Sequence, residues 1–274
     1  MQLKEIQEQE LIILKECIKI FQKYNIRYYM LGGTFLGAIR HKGFIPWDDD
    51  IDIGIPRNDY DKFCEVVNTE LKFPLCLSTY NNDPNNNRYH NRIVNKEISF
   101  IRDDTLDGRT DNLWIDIFPL DGMPNNIIFR KLHQFHLLFL RLLLQYSKFN
   151  NGVNIKVKRS LFERILIKLG FVISKICHFN TKKRLDKIDK SLRKYKYDSS
   201  NYVVNFMGAY KFKEMFPRVL YENSAEYEFE DIKLYAPADY DKVLTQMYGD
   251  YLTPPQTDQR FSHSIRIDNN AEHK

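Results

Sequence analysis

Four aspartates fall within five positions: Asp48, Asp49, Asp50 and Asp52. They follow a Gly32-Gly33-Thr34 triplet and a basic run of Arg40, His41 and Lys42. The whole stretch, residues 31–56, reads LGGTFLGAIRHKGFIPWDDDIDIGIP. Ile51, Ile53 and Ile55 alternate with Asp50, Asp52 and Gly54, which is the period of a strand. Residues two apart on a strand share a face, with Cα atoms about 6.5 Å apart. Asp50 and Asp52 therefore point one way and the isoleucines point into a core. Two adjacent carboxylates repel each other, and a divalent cation between them relieves the repulsion. Oxygen-only ligands suit Mg²⁺ or Mn²⁺, and Mg²⁺ commonly takes one or two carboxylates together with substrate phosphates. Asp48 and Asp49 precede the alternation and read as a solvated acidic turn after Pro46, with at most an orienting role.

The elements that must position these carboxylates lie just upstream. Residues 28–31 (YYML) read as a short strand that runs into the Gly32-Gly33-Thr34 turn. Phe35, Leu36, Ala38 and Ile39 then suit a helix. A strand, a glycine turn and a helix N-terminus set backbone N–H groups where an anion can sit. Arg40 and Lys42 add positive charge for phosphate oxygens. A lone Gly-Gly is an ordinary tight turn. Followed at helix length by Asp-x-Asp in a strand, it points to a site that binds a nucleotide diphosphate with its metal ions and transfers a phosphoryl group. Further on, Asp116 lies between Ile115 and Ile117 in residues 113–118 (LWIDIF). An acid so enclosed is costly to bury unless it is paired or metal-bound; read alone, it fits an exposed edge strand equally well. Asp121, in a Leu120-Asp121-Gly122 turn, reads as structural.

The stretch GGTFLGAIRHKGFIPWDDDIDIGIP resembles the LicD family of the nucleotidyltransferase fold, which is related to the fukutin-type phosphotransferases. The later stretches WIDIFPLDG and YGDYLTPPQTDQRFSHS are similar to the same family. The resemblance implies an α+β fold: a nucleotidyltransferase-like mixed sheet with flanking helices, here with an inserted basic helical segment. It implies that Asp50, Asp52 and Asp116 form the catalytic, metal-binding acid set, with Mg²⁺ or Mn²⁺ as cofactor. Gly32, Gly33, Thr34 and Arg40 would contact nucleotide or phosphate, joined by Arg260 and His263 from the last motif. The reaction implied is transfer of a phosphorylated alcohol, phosphocholine first, from a CDP-linked donor to a sugar hydroxyl of a surface glycan or its lipid-linked precursor, with release of CMP. Ribitol or glycerol phosphate are the alternatives within the family. An NTP-dependent nucleotidyltransferase releasing pyrophosphate would use the same acids. A non-catalytic peripheral membrane or glycan-binding protein is the reading from another class. A choline donor would favour an aromatic cage; Trp47, Trp114 and Tyr89 stand near the motifs and serve equally well as core.

The 274 residues, 43% hydrophobic, suffice for one sizeable domain or a domain with a large insertion. Three parts are expected: a catalytic core over 1–126, a basic amphipathic helical insertion over 127–200, and a C-terminal part over 201–274 that completes the site. Cys17, Cys64, Cys76 and Cys177 are widely spaced, which argues against a zinc site or disulfide scaffold. The polar start MQLKEIQEQE is no signal peptide, and no apolar run is long enough to span a bilayer. The expected location is the cytoplasm or the cytoplasmic face of a membrane.

The net charge of +5 is unevenly spread. Residues 127–196 hold 18 Lys and Arg against 3 Asp and Glu, a net +15 that leaves −10 for the remainder. Within this segment, 127–146 and 161–179 read as two basic amphipathic helices joined by a polar linker over 147–159. Such helices suit an anionic membrane surface or simple packing against the domain. No nucleic-acid-binding motif is present, so nucleic acid is not expected as a partner. Elsewhere, helices are expected over 3–23, from a cap at Asn58 or Asp59 to 68, and over 240–248. Strands are expected over 75–79 and 202–208. Hairpins are expected across Asn95-Lys96 (89–94 with 98–102) and between 219–221 and 229–234, with loops over 81–87, 105–112 and 253–264.

Overall fold

The computed structural model describes residues 3–84, 86–102, 110–147, 180–256 and 265–267. The architecture is α+β: a curled mixed sheet with flanking helices and a separate two-stranded ribbon. At its centre β2 (Asp52–Pro56) runs parallel to β5 (Thr110–Met123). On one side β1 (Tyr29–Met30) pairs antiparallel with β2. On the other, β4 (Asn91–Arg102) pairs antiparallel with β5. β3 (Leu75–Ser78) and β10 (Ile265–Ile267) pair with the two halves of β4. The far end of β5 pairs with β6 (Tyr202–Val204), and β6 with β7 (Met215–Pro217). The ribbon is β8 (Ser224–Phe229) with β9 (Ile232–Pro237).

Period-two patterning explains the central pair. Ile51, Ile53 and Ile55, and Leu113, Ile115 and Ile117, are fully buried on one face. Asp52, Trp114, Asp116 and Phe118 take the alternate positions. The buried face is covered by α1 (Leu3–Lys23), which contributes Ile6, Ile13, Leu14, Cys17, Ile20 and Phe21, and by α3 (Arg57–Glu70), which contributes Tyr60, Phe63 and Val67. Three further helices are α2 (Gly32–His41), α4 (Ile127–Ser147) and α5 (Thr181–Leu192). α4 and α5 pack on each other through Leu137, Leu140 and Leu144 against Leu185, Ile188 and Leu192. A short α6 (Val219–Glu222) and α7 (Tyr240–Tyr248) complete the seven helices of the described residues. Asp239 caps α7 by accepting from the Lys242 N–H, and Gly249 ends it at φ +73°.

Several local expectations are corrected. Gly32, Gly33 and Thr34 form the first turn of α2, not a turn before it. α3 starts at Arg57, directly after Pro56, and runs to Glu70. The hairpin expected across Asn95-Lys96 is one strand. The Asn95 side chain accepts from the Glu97 N–H and the Lys96 N–H donates to the Pro74 carbonyl, so the polar pair makes an irregularity while β5 keeps both halves in one ladder. Residues 219–222 are a short helix, with Leu220 and Tyr221 buried. The hairpin partners are therefore β8 and β9. The 202–208 strand stops at Val204. The second amphipathic helix (161–179), nearly all of the 147–159 linker, Cys177, Arg260 and His263 lie outside the described residues.

Candidate active site

The sheet brings the two acid motifs together. In the parallel register of β2 and β5, Asp52 stands opposite Asp116. The backbone of Asp52 is fixed on both sides: its N–H donates to Thr34 Oγ1 at 2.8 Å, and its carbonyl accepts from the Leu31 N–H at 3.0 Å. The Asp116 N–H donates to the Ile51 carbonyl at 2.9 Å. Asp50 precedes the first β2 residue, yet it lines the same cleft as Asp52 and Asp116. This cleft, of about 300 Å³, is also lined by Asp49, Arg88, His90, Arg92, Trp114, Phe118 and the Met207-Gly208-Ala209 backbone.

Asp49 departs from the solvated turn expected of it: it is 2% exposed. The cause lies in α1. Gln7 Nε2 donates to the carbonyls of Asp48 (2.7 Å) and Ile45 (3.4 Å), and the Asp48 N–H closes a turn onto Ile45. That turn carries the acidic run into the cleft wall.

The glycines of α2 are required by these carboxylates. A Cβ on Gly33 would stand 2.5 Å from Asp48 Oδ2, and one on Gly32 3.0 Å from Asp52 Oδ2; Gly32 also has φ +49°. Two carboxylates thus crowd the N-terminus of α2, where the helix dipole favours negative charge. Thr34, buried, spends its hydroxyl oxygen as the acceptor for Asp52. Arg40 does not line the cleft. Its Nη1 donates to the Tyr251 carbonyl at 3.0 Å and its Nε to His41, tying α2 to the YGDY stretch.

Cationic side chains stand beside these carboxylates. Arg92 faces Asp116 across the β4–β5 ladder, and its Nε donates to Asp116 Oδ1 at 2.9 Å while Nη1 reaches Asp111 at 3.2 Å. His90 Nε2 lies 3.1 Å from the same Asp116 oxygen. Trp114 Nε1 donates to Asp116 Oδ2 at 3.1 Å. Burial alone would raise the Asp116 carboxyl; Arg92 first, then His90, overcome it and hold the group well below the usual carboxylate range. Burial lowers the His90 imidazole, and Asp116 opposes that shift. Asp52 moves the other way: burial, then Asp50 and Asp116, raise it well above the ordinary value.

These electrostatics fit a bound cation. Asp52 is raised because several carboxylates share one poorly solvated wall, and a divalent metal removes that repulsion. Among the described residues no three Asp, Glu, His or Cys side chains come together as a group that could hold a metal ion. The donor set fits the open kind of site instead, in which Asp50 and Asp52 leave positions for substrate oxygens. Asp116 keeps one acceptor position on Oδ2 once Arg92, His90 and Trp114 are counted.

The aromatic residues near the motifs are engaged. The Arg92 guanidinium lies 3.7 Å from the Trp114 ring centroid. Tyr89 is buried away from the cleft, donating to Asp189 and accepting from Arg57. Trp47 packs edge-on to His41.

Sequence reasoning passed over Arg88, His90 and Arg92, which gain meaning only when β4 and the residues just before it are placed beside β5. It also passed over Glu10. This α1 residue is fully buried, and burial, then the field of Asp50, Asp49 and Asp116, raises its carboxyl well above the ordinary value. The signal was available: Glu10 interrupts the helical stripe of Ile6, Ile13, Leu14 and Cys17. Glu214, which accepts from Asn205 Nδ2 (2.7 Å) and the Tyr210 N–H (2.9 Å), is pushed up to about 7 by burial and adds to the field on Asp52.

The family model for the LicD/FKTN/FKRP nucleotidyltransferase domain matches residues 25–138. Lipopolysaccharide cholinephosphotransferase LicD of Haemophilus influenzae is 30% identical over 273 residues, covering 94% of this chain and 96% of the relative. An uncharacterized protein of Rickettsia prowazekii is 49% identical over 77 residues, 24% of this chain and 29% of that protein. The human ribitol 5-phosphate transferase FKRP is 43% identical over 42 residues, 15% of this chain and 8% of its own length.

Proposed function

Because the chain belongs to the LicD family, we propose that its cleft transfers a phosphorylated alcohol, phosphocholine first, from a CDP-linked donor to a sugar hydroxyl of a glycan or its lipid-linked precursor. The observation that carries this reading is the juxtaposition of Asp50, Asp52 and Asp116 in one cleft that Arg88, His90 and Arg92 also line. A diphosphate needs both: carboxylates to hold its cation and guanidinium groups to hold its oxygens. Phosphocholine is favoured over ribitol phosphate because the cholinephosphotransferase relative aligns over nearly the whole chain, whereas the ribitol phosphate transferase aligns over a short stretch.

In this reading Asp50 and Asp52 hold Mg²⁺ or Mn²⁺, and Asp116 joins them through its remaining Oδ2 position. When bound, the cation withdraws charge from the diphosphate and steadies the departing CMP. The chain's own residues do the rest. The first turn of α2, with Gly32, Gly33 and Thr34, sets N–H dipoles against the phosphate oxygens. Arg88, which lines the cleft, supplies a cation for the phosphate oxygens, the role that the sequence assigned to Arg40. The acceptor hydroxyl attacks the phosphorus that carries the alcohol, the bond to the bridging oxygen breaks, and CMP leaves. The proton departs late in a loose transition state, so no strong base is required. That suits Asp116, which Arg92 and His90 keep ionised and weakly basic.

Product analysis tests the reading. With Mg²⁺ and a glycan acceptor, the chain should release CMP from one of CDP-choline, CDP-ribitol or CDP-glycerol and no pyrophosphate from CTP. Pyrophosphate release from CTP, with the CMP moiety carried to an acceptor and no free CMP from the CDP-linked donors, would identify an ordinary nucleotidyltransferase instead.

A further inference from the structure

We propose that the outer face of α4 is a docking surface for an anionic lipid bilayer. α4 has two faces of different fate. Its inner face is spent on α5 and the sheet, through Leu137, Leu140 and Leu144. On the outer face Ile128, Phe129, Leu132, Phe135, Phe139 and Leu142 are exposed, Phe135 by 73% and Ile128 by 67%. They recur at steps of three and four, so they form one stripe about 20 Å long at 1.5 Å per residue. A stripe of that size on a solvated helix marks an interaction site.

Charge selects the occupant. The described parts of this helical pair, residues 127–147 and 180–196, carry eleven Lys and Arg against two Asp and Glu. Lys131, Lys182, Lys183, Lys187 and Lys190 are exposed. A second copy docking here would bring two such basic surfaces together, which costs Coulomb energy. An anionic bilayer meets both demands at once: acyl chains for the Phe and Leu stripe, headgroups for the lysines. Among the described residues no helix is long and apolar enough to cross a membrane, so α4 would lie in the interface.

The inner side of the same helix reaches the cleft. Arg141 Nη1 donates to the carbonyls of Phe206 (2.6 Å) and Gly208 (3.2 Å), in the backbone segment that forms one cleft wall. Docking through α4 therefore fixes the cleft relative to the lipid surface. Its benefit to the reaction rests on the lipid-linked acceptor proposed above; the docking itself does not.

Vesicle co-sedimentation of the full chain tests this without turnover. Binding to phosphatidylcholine vesicles containing phosphatidylglycerol should be about tenfold tighter than to phosphatidylcholine alone, and should weaken with salt. The variant Phe129→Ser/Phe135→Ser/Phe139→Ser should lose about tenfold or more in binding with its melting temperature unchanged. Wild-type protein that ignores anionic vesicles, or a variant that binds as well as wild type, overturns the proposal. Sedimentation velocity and melting then name the true occupant: a dimer dissolved by the variant means a second copy, and a monomer destabilised by it means that the chain covers its own stripe.

Discussion

Asp52 is held at three points: its N–H on Thr34, its carbonyl on Leu31, and its carboxylate against Gly32. A methyl group at Gly32 collides with that carboxylate and must also adopt φ +49°, which costs an L-residue about 1–2 kcal/mol. Gly32→Ala should therefore lower stability by about that amount in chemical denaturation, and lower the rate of CMP release by about tenfold or more, because a displaced carboxylate no longer fits the reacting geometry. Glu214 makes a separate prediction. Its carboxyl is pushed up to about 7 from the usual 4.5. Between these values the folded chain keeps a proton that the unfolded chain has released, so stability falls as pH rises through the window. Glu214→Gln should flatten that slope, with wild type losing up to about 3 kcal/mol relative to the variant between pH 4.5 and 7, read from denaturation in chelator. At this scale the sequence was informative where chemistry is local. The Ile51, Ile53 and Ile55 alternation announced the direction of Asp50 and Asp52. It was silent on His90 and Arg92, whose meaning depends on Asp116 lying opposite on another strand, and Asp49 turned inward because Gln7 of a distant helix pulls on its loop.

Among the elements, α3 shows how the cleft's supports are anchored. Its first residue, Arg57, is buried and makes a bidentate pair with Asp121 of β5, at 2.6 and 2.7 Å, while Nη2 also donates to Tyr89. Burial opposes the charge on Arg57 and Asp121 more than offsets it, whereas burial raises the Asp121 carboxyl against the pull of Arg57. Arg57→Ala strands Asp121 without a counter-charge and should cost about 3–5 kcal/mol by urea denaturation. The double variant Arg57→Met/Asp121→Leu should regain most of that loss, since a packed apolar pair replaces a buried ionic one at little net cost. Asp121 was readable as structural because it stands apart from the acid pair, but its partner was not, being 64 positions away. Long periodic helices such as α1, α4 and α7 were legible from spacing and capping residues alone. β4 was not, since Asn95-Lys96 is turn chemistry that the long ladder with β5 overrides. Residues 219–222 failed for another reason: a run of four residues is too short to show a period.

For the whole molecule, a single sheet joins both acid motifs, and the C-terminal strands β6 and β7 extend it from the far end of β5. Along the sequence, the basic excess is gathered in the segment that follows β5, apart from the acidic run of Asp48, Asp49, Asp50 and Asp52. A chain organised this way separates two electrostatic tasks, attraction of an anionic surface and capture of a metal-bound diphosphate. The second task is the central claim, and CMP release from CDP-choline in Mg²⁺, compared between wild type and Asp52→Ala, tests it most directly. Wild type should release CMP, chelation should abolish the reaction, and Asp52→Ala should slow it by roughly three orders of magnitude while its far-ultraviolet circular dichroism stays native. CMP release that persists in Asp52→Ala at the wild-type rate would contradict the account, because the cleft between β2 and β5 would not be where the reaction occurs.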